Sequence, residues 1–165
     1  MSDYQLRPFR WADVPAITAI YNHYVEHTAI TFDTDMPGEP AMAEKFGHLL
    51  ELGHPLIVAE LDGGVVGYAY ASFYRPRAAY RFTCEDSIYL DPAETGRGMG
   101  RALLAELLAQ STAFGFKQML AVITADTANS IRIHEQFGFE RVGYYKSVGL
   151  KFDRWHDIVH LQKAL

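Results

Sequence analysis

Glu85, His134 and the glycines Gly96, Gly98 and Gly100 are the residues of this 165-residue chain best suited by type and spacing to do chemistry. The glycines alternate with Arg97 and Met99 and run into Arg101, between an apolar segment (Ile88, Tyr89, Leu90) and a strongly helical one (Ala102 to Leu108). That order reads as a strand, a turn and a helix start. Alternate glycines let backbone N–H groups converge without obstruction by Cβ, and the helix start adds unpaired donors and the positive end of its dipole. Such a turn suits phosphate oxygens.

Two common phosphate loops do not fit. A Walker loop needs Lys and then Ser or Thr after its last glycine, and here Gly100 is followed by Arg101 and Ala102, leaving no hydroxyl for magnesium. A dinucleotide fingerprint needs a third glycine three positions after the second, where this chain has Arg101 or Leu103. Arg97 and Arg101 add cationic side chains, which suits a diphosphate bound without a metal.

Glu85 sits in an extended stretch whose period-two alternation puts Glu85, Ser87 and Tyr89 on one face and Cys84, Asp86 and Ile88 on the other. Glu85 is the candidate general base and Asp86 the competing acid; a β-bulge would change the register. His134 is a candidate acid with an unperturbed pKa of ~6.5, or equally a packed, hydrogen-bonded histidine. Arg75, Arg77 and Arg81 lie among Tyr74, Tyr80 and Phe82, a local cationic cluster suited to a small anion, against the alternative of a solvated charged loop.

Composition bounds the rest. A chain of 165 residues, 49% hydrophobic, can bury one substantial core, so residues 1–165 are expected to form a single domain. A formal charge of −5 without a long basic run argues against nucleic acid as the main partner. No apolar run approaches the ~20 residues that span a bilayer, and the start, Met1 to Tyr4, carries no basic-then-apolar signal, so no membrane partner and a cytoplasmic location are expected. The lone cysteine, Cys84, cannot form an internal disulfide. His23 with His27, and His156 with His160, have helix-like metal spacing but no third ligand close in sequence, so no metal is expected.

The elements that must position these groups follow from periodicity. Tyr4 to Pro8 reads as a strand, and Asp13 as the cap of a helix through about Glu26. A loop from His27 to Gly38 leads to a helix near Glu39 to Leu52. Leu56 to Leu61 and Val65 to Phe73 form a hairpin around Asp62, Gly63 and Gly64. Phe82 to Leu90 is a strand, the third helix turns Leu103, Leu104, Leu107 and Leu108 inward, and Gln118 to Ile123 is a strand. Asn129 to Phe137 is a helix, and Phe139 to Tyr145 with His156 to Gln162 are the final strands. The class is mixed α/β.

The run Arg97, Gly98, Met99, Gly100 resembles the pyrophosphate loop of the GCN5-related N-acetyltransferases (GNAT), and Ala128 to Glu135 followed by Phe137, Gly138 and Phe139 resembles that superfamily's next helix and strand. More narrowly, Ile20 to Tyr24, Glu85 with Ser87 to Tyr89, His134 with Glu135, and Trp155 to Asp157 resemble the phosphinothricin and methionine sulfoximine N-acetyltransferase branch. The resemblance spans nearly the whole chain. It implies the GNAT fold, a central mixed twisted sheet of about six to seven strands flanked by about four helices, with a parallel pair around the third helix.

It also implies transfer of acetyl from acetyl-coenzyme A to the α-amine of a small amino acid or analogue, by direct attack in a ternary complex. Alternatives are another small amine, a peptide N-terminus, or a non-catalytic acyl-coenzyme A binding module. Glu85 and His134 become the catalytic pair. Many relatives carry a tyrosine at the His134 position, where it protonates the departing thiolate. The implied cofactor contacts are Ile88, Tyr89, Leu90, Gly96, Arg97, Gly98, Met99, Gly100, Arg101, Thr127 and Asn129. The superfamily commonly has Arg or Gln at Thr95 and Asn at Thr127, so Asn129 is the substitute amide. The implied substrate contacts are Arg75, Arg77, Tyr80, Glu85, Ser87 and Trp155 as a pocket wall; Phe32, in the apolar stretch Ala29 to Phe32 inside a loop, reads as part of a lid or equally as ordinary core packing. A homodimer is expected.

Overall fold

The computed structural model describes residues 4–165; the reading of the first residues for a leader segment falls mostly outside that range. Seven strands form one sheet in the order β1-β2-β3-β4-β5-β7-β6. They are β1 (Tyr4–Pro8), β2 (Leu56–Leu61), β3 (Gly64–Phe73), β4 (Thr83–Leu90), β5 (Gln118–Thr124), β6 (Glu140–Lys151) and β7 (Arg154–Ala164). The helices are α1 (Val14–His27), α2 (Glu39–Glu51), α3 (Met99–Phe114) and α4 (Ala128–Gln136). All neighbours pair antiparallel except β4 and β5, the strands joined through α3. The parallel pair follows because a strand returning through a helical crossover must run in the same direction as the first.

Strand alternation divides the core into two layers. Ile57, Ala59, Ala69, Ala71 and Cys84 face α3 and α4, with Met99, Leu103, Leu104 and Leu107 packed on them. Val58, Tyr68 and Tyr70 face α1 and α2, against Ile17, Tyr21, Val25 and Phe46. Small residues on the first face let α3 approach closely. At Gly67 a Cβ would stand 3.1 Å from the Tyr89 carbonyl oxygen and would push the Leu90 side chain aside, so glycine eases the close β3–β4 approach.

Two expectations need correction. Asp13 does not cap α1: its carboxylate accepts from the Arg10 N–H at 2.7 Å and from both terminal nitrogens of Arg7 at 2.8 Å, pinning β1 to the one-turn helix Trp11–Asp13. An arginine fork makes a better partner for a buried carboxylate than one backbone amide. The last two strands also run well past Tyr145 and start before His156, because their cross-strand pairing continues through Gly149–His156, Leu150–Trp155 and Lys151–Arg154 to a tight turn at Phe152 and Asp153, both at positive φ. Gly143 and Gly149 obscure that strand in the sequence. Among the described residues no helix is long and apolar enough to cross a membrane.

His54 is buried where Phe73, Phe114 and Phe116 surround it with ring centroids 4.5–5.2 Å away, and neither ring nitrogen has a hydrogen-bond partner. Burial holds its pKa below the ordinary histidine value. The unfolded chain therefore takes up this proton first as pH falls, so the His54 contribution is intact above about pH 6.5 and is lost below it. His54→Leu should show a smaller drop in Tm than wild type between about pH 7 and pH 5, read by thermal melts. Equal drops would contradict the assignment.

Candidate active site

The site begins where two strands part. β4 pairs with β5 only from Thr83 to Glu85, against Gln118 to Leu120, while β5 continues along β7 to Thr124. Past Glu85 the β4 edge facing β5 has no strand partner, and a cavity of about 640 Å³ opens in the gap. Polar bonds from the α1 end hold both sides: the Tyr24 hydroxyl donates to the Leu90 carbonyl at 2.6 Å, and the Thr124 hydroxyl to the Ala29 carbonyl at 2.6 Å.

The cavity brings together Phe32, Glu85, Ser87, Ile88, Tyr89, Leu90, Gly100, Thr127, Asn129 and His134 from the expected residues, together with Thr95. Gly96 and Gly98 stand at positive φ (+83° and +80°) with open space where a Cβ would be, so conformation rather than room demands glycine there. The first helical bond runs from the Ala102 N–H to the Gly98 carbonyl, which leaves the N–H groups of Met99, Gly100 and Arg101 as the unpaired helix-start donors. The Met99 side chain is buried in the core, so only its backbone is available. Arg97 pairs with Glu94 at 3.0 Å, and Arg101 bonds Gln136 and stacks over Phe137. Both remain exposed beside the loop.

A second cavity, about 440 Å³, is lined by Tyr74, Arg75, Glu85, Val122, Tyr145, Ile158 and His160. It shares Glu85, Val122 and Ile158 with the first, so the two form one passage with Glu85 at the junction. Arg77, Tyr80 and Trp155 line neither. Arg77 and Tyr80 lie exposed on the loop, and Trp155 is 59% exposed on the hairpin arm opposite Leu150, which extends past the cleft. Val122, Ile158, Tyr145 and His160 were missed. The signal is strand parity: Val122 pairs with His160, and Tyr145 with Ile158, so all share the Glu85 face, and the metal-like spacing of His160 from His156 is not what places it.

The adjacent acids have opposite environments. Burial first, then the neighbouring Asp86 charge, raises the Glu85 pKa, and Arg75 and Lys45 only partly offset this. Asp86, on the other face, is spent on His134: its Oδ2 lies 2.7 Å from Nε2, while Nδ1 is 2.7 Å from the Ser130 carbonyl. Both nitrogens face acceptors, and an imidazolium next to a carboxylate satisfies both. Burial alone would lower the His134 pKa, but the Asp86 bond and charge and the Ser130 carbonyl raise it. Burial pushes the Cys84 thiol up to about 12, which removes it as a nucleophile near neutrality. Among the described residues no cluster of three or more His, Cys, Asp or Glu could hold a metal.

The loop after α1 lies against the β6–β7 hairpin. Phe32 covers Gly149, where a Cβ would run into its ring, and the buried Lys151 donates to the Thr31 carbonyl at 2.9 Å.

The profile of the Acetyltransferase (GNAT) family matches residues 17–139. The chain is 44% identical to a phosphinothricin N-acetyltransferase of Alcaligenes faecalis, over 97% of this chain and 82% of that one. It is 39% identical to an L-methionine sulfoximine/L-methionine sulfone acetyltransferase of Salmonella typhimurium, over 93% and 90%. A GNAT superfamily phosphinothricin acetyltransferase from Sinorhizobium meliloti, solved in complex with acetyl-coenzyme A, superposes with a TM-score of 0.96 at 44% identity, covering 99% of this chain and 89% of that one. With its split sheet, its glycine turn at a helix start and these relatives, the chain belongs to the GNAT family of acetyltransferases.

Proposed function

We propose that the protein transfers acetyl from acetyl-coenzyme A to the α-amine of a small amino acid or analogue, of the phosphinothricin or methionine sulfoximine type. The observation that carries this reading is the junction of two cavities at a single carboxylate, Glu85. Acetyl-coenzyme A supplies the thioester, and the free donors at Gly96 to Arg101 together with Thr127 and Asn129 fit its diphosphate and pantetheine arm. The acceptor enters from the Arg75 side, which supports direct attack with both substrates bound.

Glu85 takes the amine proton, directly or through water. Free N–H groups along Ile88 to Leu90, on the β4 edge that β5 leaves, polarise the carbonyl. The C–N bond forms as the C–S bond breaks, and His134, charged by Asp86, is the proton source for the leaving thiolate. Arg75 takes the acceptor carboxylate.

The hairpin arm supports a homodimer. Tyr144, Val148, Leu150 and Trp155 are 50–59% exposed on it, and Leu150 faces Trp155 across the strands.

Glu85→Gln should lower kcat by about 10²–10⁴-fold, the range for a lost general base. Because the Glu85 pKa is raised, wild-type rate should fall as pH drops through a value above the ordinary carboxylate range, and the variant should lack this limb. Survival of both rate and limb would remove Glu85 as base. Thiol release, with product mass, should be selective for phosphinothricin and methionine sulfoximine over polyamines, an aminoglycoside and a peptide, and Arg75→Ala should raise the acceptor KM about tenfold. Tight acetyl-coenzyme A binding with no turnover on any amine would favour a binding module. Leu150→Glu with Trp155→Glu should shift sedimentation from dimer to monomer; a wild-type monomer would end the dimer proposal.

A further inference from the structure

The acceptor cavity contains a polar group that the reaction as described leaves unused. His160, on β7, has its Nδ1 buried without any hydrogen-bond partner. Its ring stands edge-on to Tyr145 with centroids 4.8 Å apart. β5 packs Val122 beside it, β6 packs Gly143 and Tyr145, and the loop before β4 brings Tyr74 and Arg75 to the same cavity as Glu85 on β4. The charged groups facing it are therefore Arg75 and Glu85, with the two tyrosine hydroxyls as neutral donors.

A count of charge follows from this lining. An α-amino acid presents one ammonium and one carboxylate, and Glu85 and Arg75 match them one to one. Among the residues that line this cavity no further fixed cation is left for a second anion on the acceptor side chain; Arg77, Arg81 and Lys45, whose charge reaches Glu85, lie outside the lining. The remaining group able to become cationic near neutrality is His160.

Resting on the acceptor reading above, we propose that His160 is a specificity-determining residue that receives the second anionic group of a doubly acidic acceptor, such as the phosphinate of phosphinothricin, and favours it over acceptors with a neutral side chain such as methionine sulfone. Nδ1 is closed off from the cavity, so the ring meets that group through Nε2, which has no hydrogen-bond partner within the protein. Without acceptor, burial first and then the Arg75 charge hold the His160 pKa below its ordinary value, so the ring is neutral near pH 7. The incoming anion reverses this balance, and the ring takes one proton from solvent as the acceptor binds. Affinity for the doubly acidic acceptor therefore improves as pH falls toward the histidine range, and affinity for the neutral-side-chain acceptor does not follow it.

The test compares phosphinothricin with methionine sulfone, using wild type and His160→Gln whose Tm values agree, with His160→Phe as a second variant. The ratio of kcat/KM for phosphinothricin to that for methionine sulfone should fall about tenfold in both variants, with the loss in KM rather than kcat. In wild type the phosphinothricin KM should fall as pH drops from about 8 to about 6, and this slope should vanish in His160→Gln. An unchanged ratio, or a slope that persists in the variant, would overturn the role of His160 while leaving the acceptor class standing. Absence of wild-type turnover on either compound would instead overturn the acceptor reading, and the inference with it.

Discussion

The early divergence of β4 from β5 is the constraint on which the rest of the molecule depends. Three paired residues on each strand close the sheet at its lower end, and beyond Glu85 the two backbones separate. Backbone groups along a free edge need partners or water, so a gap inside a sheet persists only where something holds it apart or fills it. Here α1 and the loop after it hold it apart, with Tyr24 on the carbonyl of Leu90 and Thr124 on that of Ala29. The edge-on contact of Tyr21 with Tyr89 adds to this brace from the same helix. What would otherwise be the middle of a continuous sheet becomes a passage with a carboxylate at its apex.

The alternation of a strand then gives two neighbouring carboxylates different work. Glu85 points into the shared passage, where burial and a like charge on the next residue favour its protonated form and make it a stronger base once ionised. Asp86 points through to α4, and its charge is consumed by His134. A single β-strand thereby sets one carboxylate where the two cavities meet and the other against His134, one per face, with no more than a peptide unit between them. The raised pKa also carries a cost: ionised Glu85 destabilises the fold relative to a neutral side chain near neutral pH.

The loop after α1 is fixed by the hairpin that carries the exposed apolar arm. Phe32 rests on the backbone of Gly149, and the ammonium of Lys151, whose pKa burial lowers against the opposing Asp33 charge, is spent on the Thr31 carbonyl. The loop that roofs the passage is thus built from contacts between residues more than a hundred positions apart. Tyr145 and Ile158, on the same two strands, line the second cavity, so one hairpin both seats the loop and walls that cavity.

The local code wrote most of the elements. Glycines at Gly96 and Gly98, the apolar spacing of α3, and the alternation through Glu85 are short-range signals, and the strand–turn–helix they describe is what formed. Parity alone separated Glu85 from Asp86, since it depends on nothing beyond extended backbone. Asp13 went elsewhere because an arginine seven residues from the N-terminus offered a better partner than the helix start, and Trp155 stands outside the passage because the hairpin runs beyond it. The partner of His134, the place of His160 in the cavity beside Glu85, and the seating of Phe32 on Gly149 were decided by tertiary structure. Each joins residues from separate strands or loops, and period-two spacing says which face a side chain takes without saying what stands opposite it.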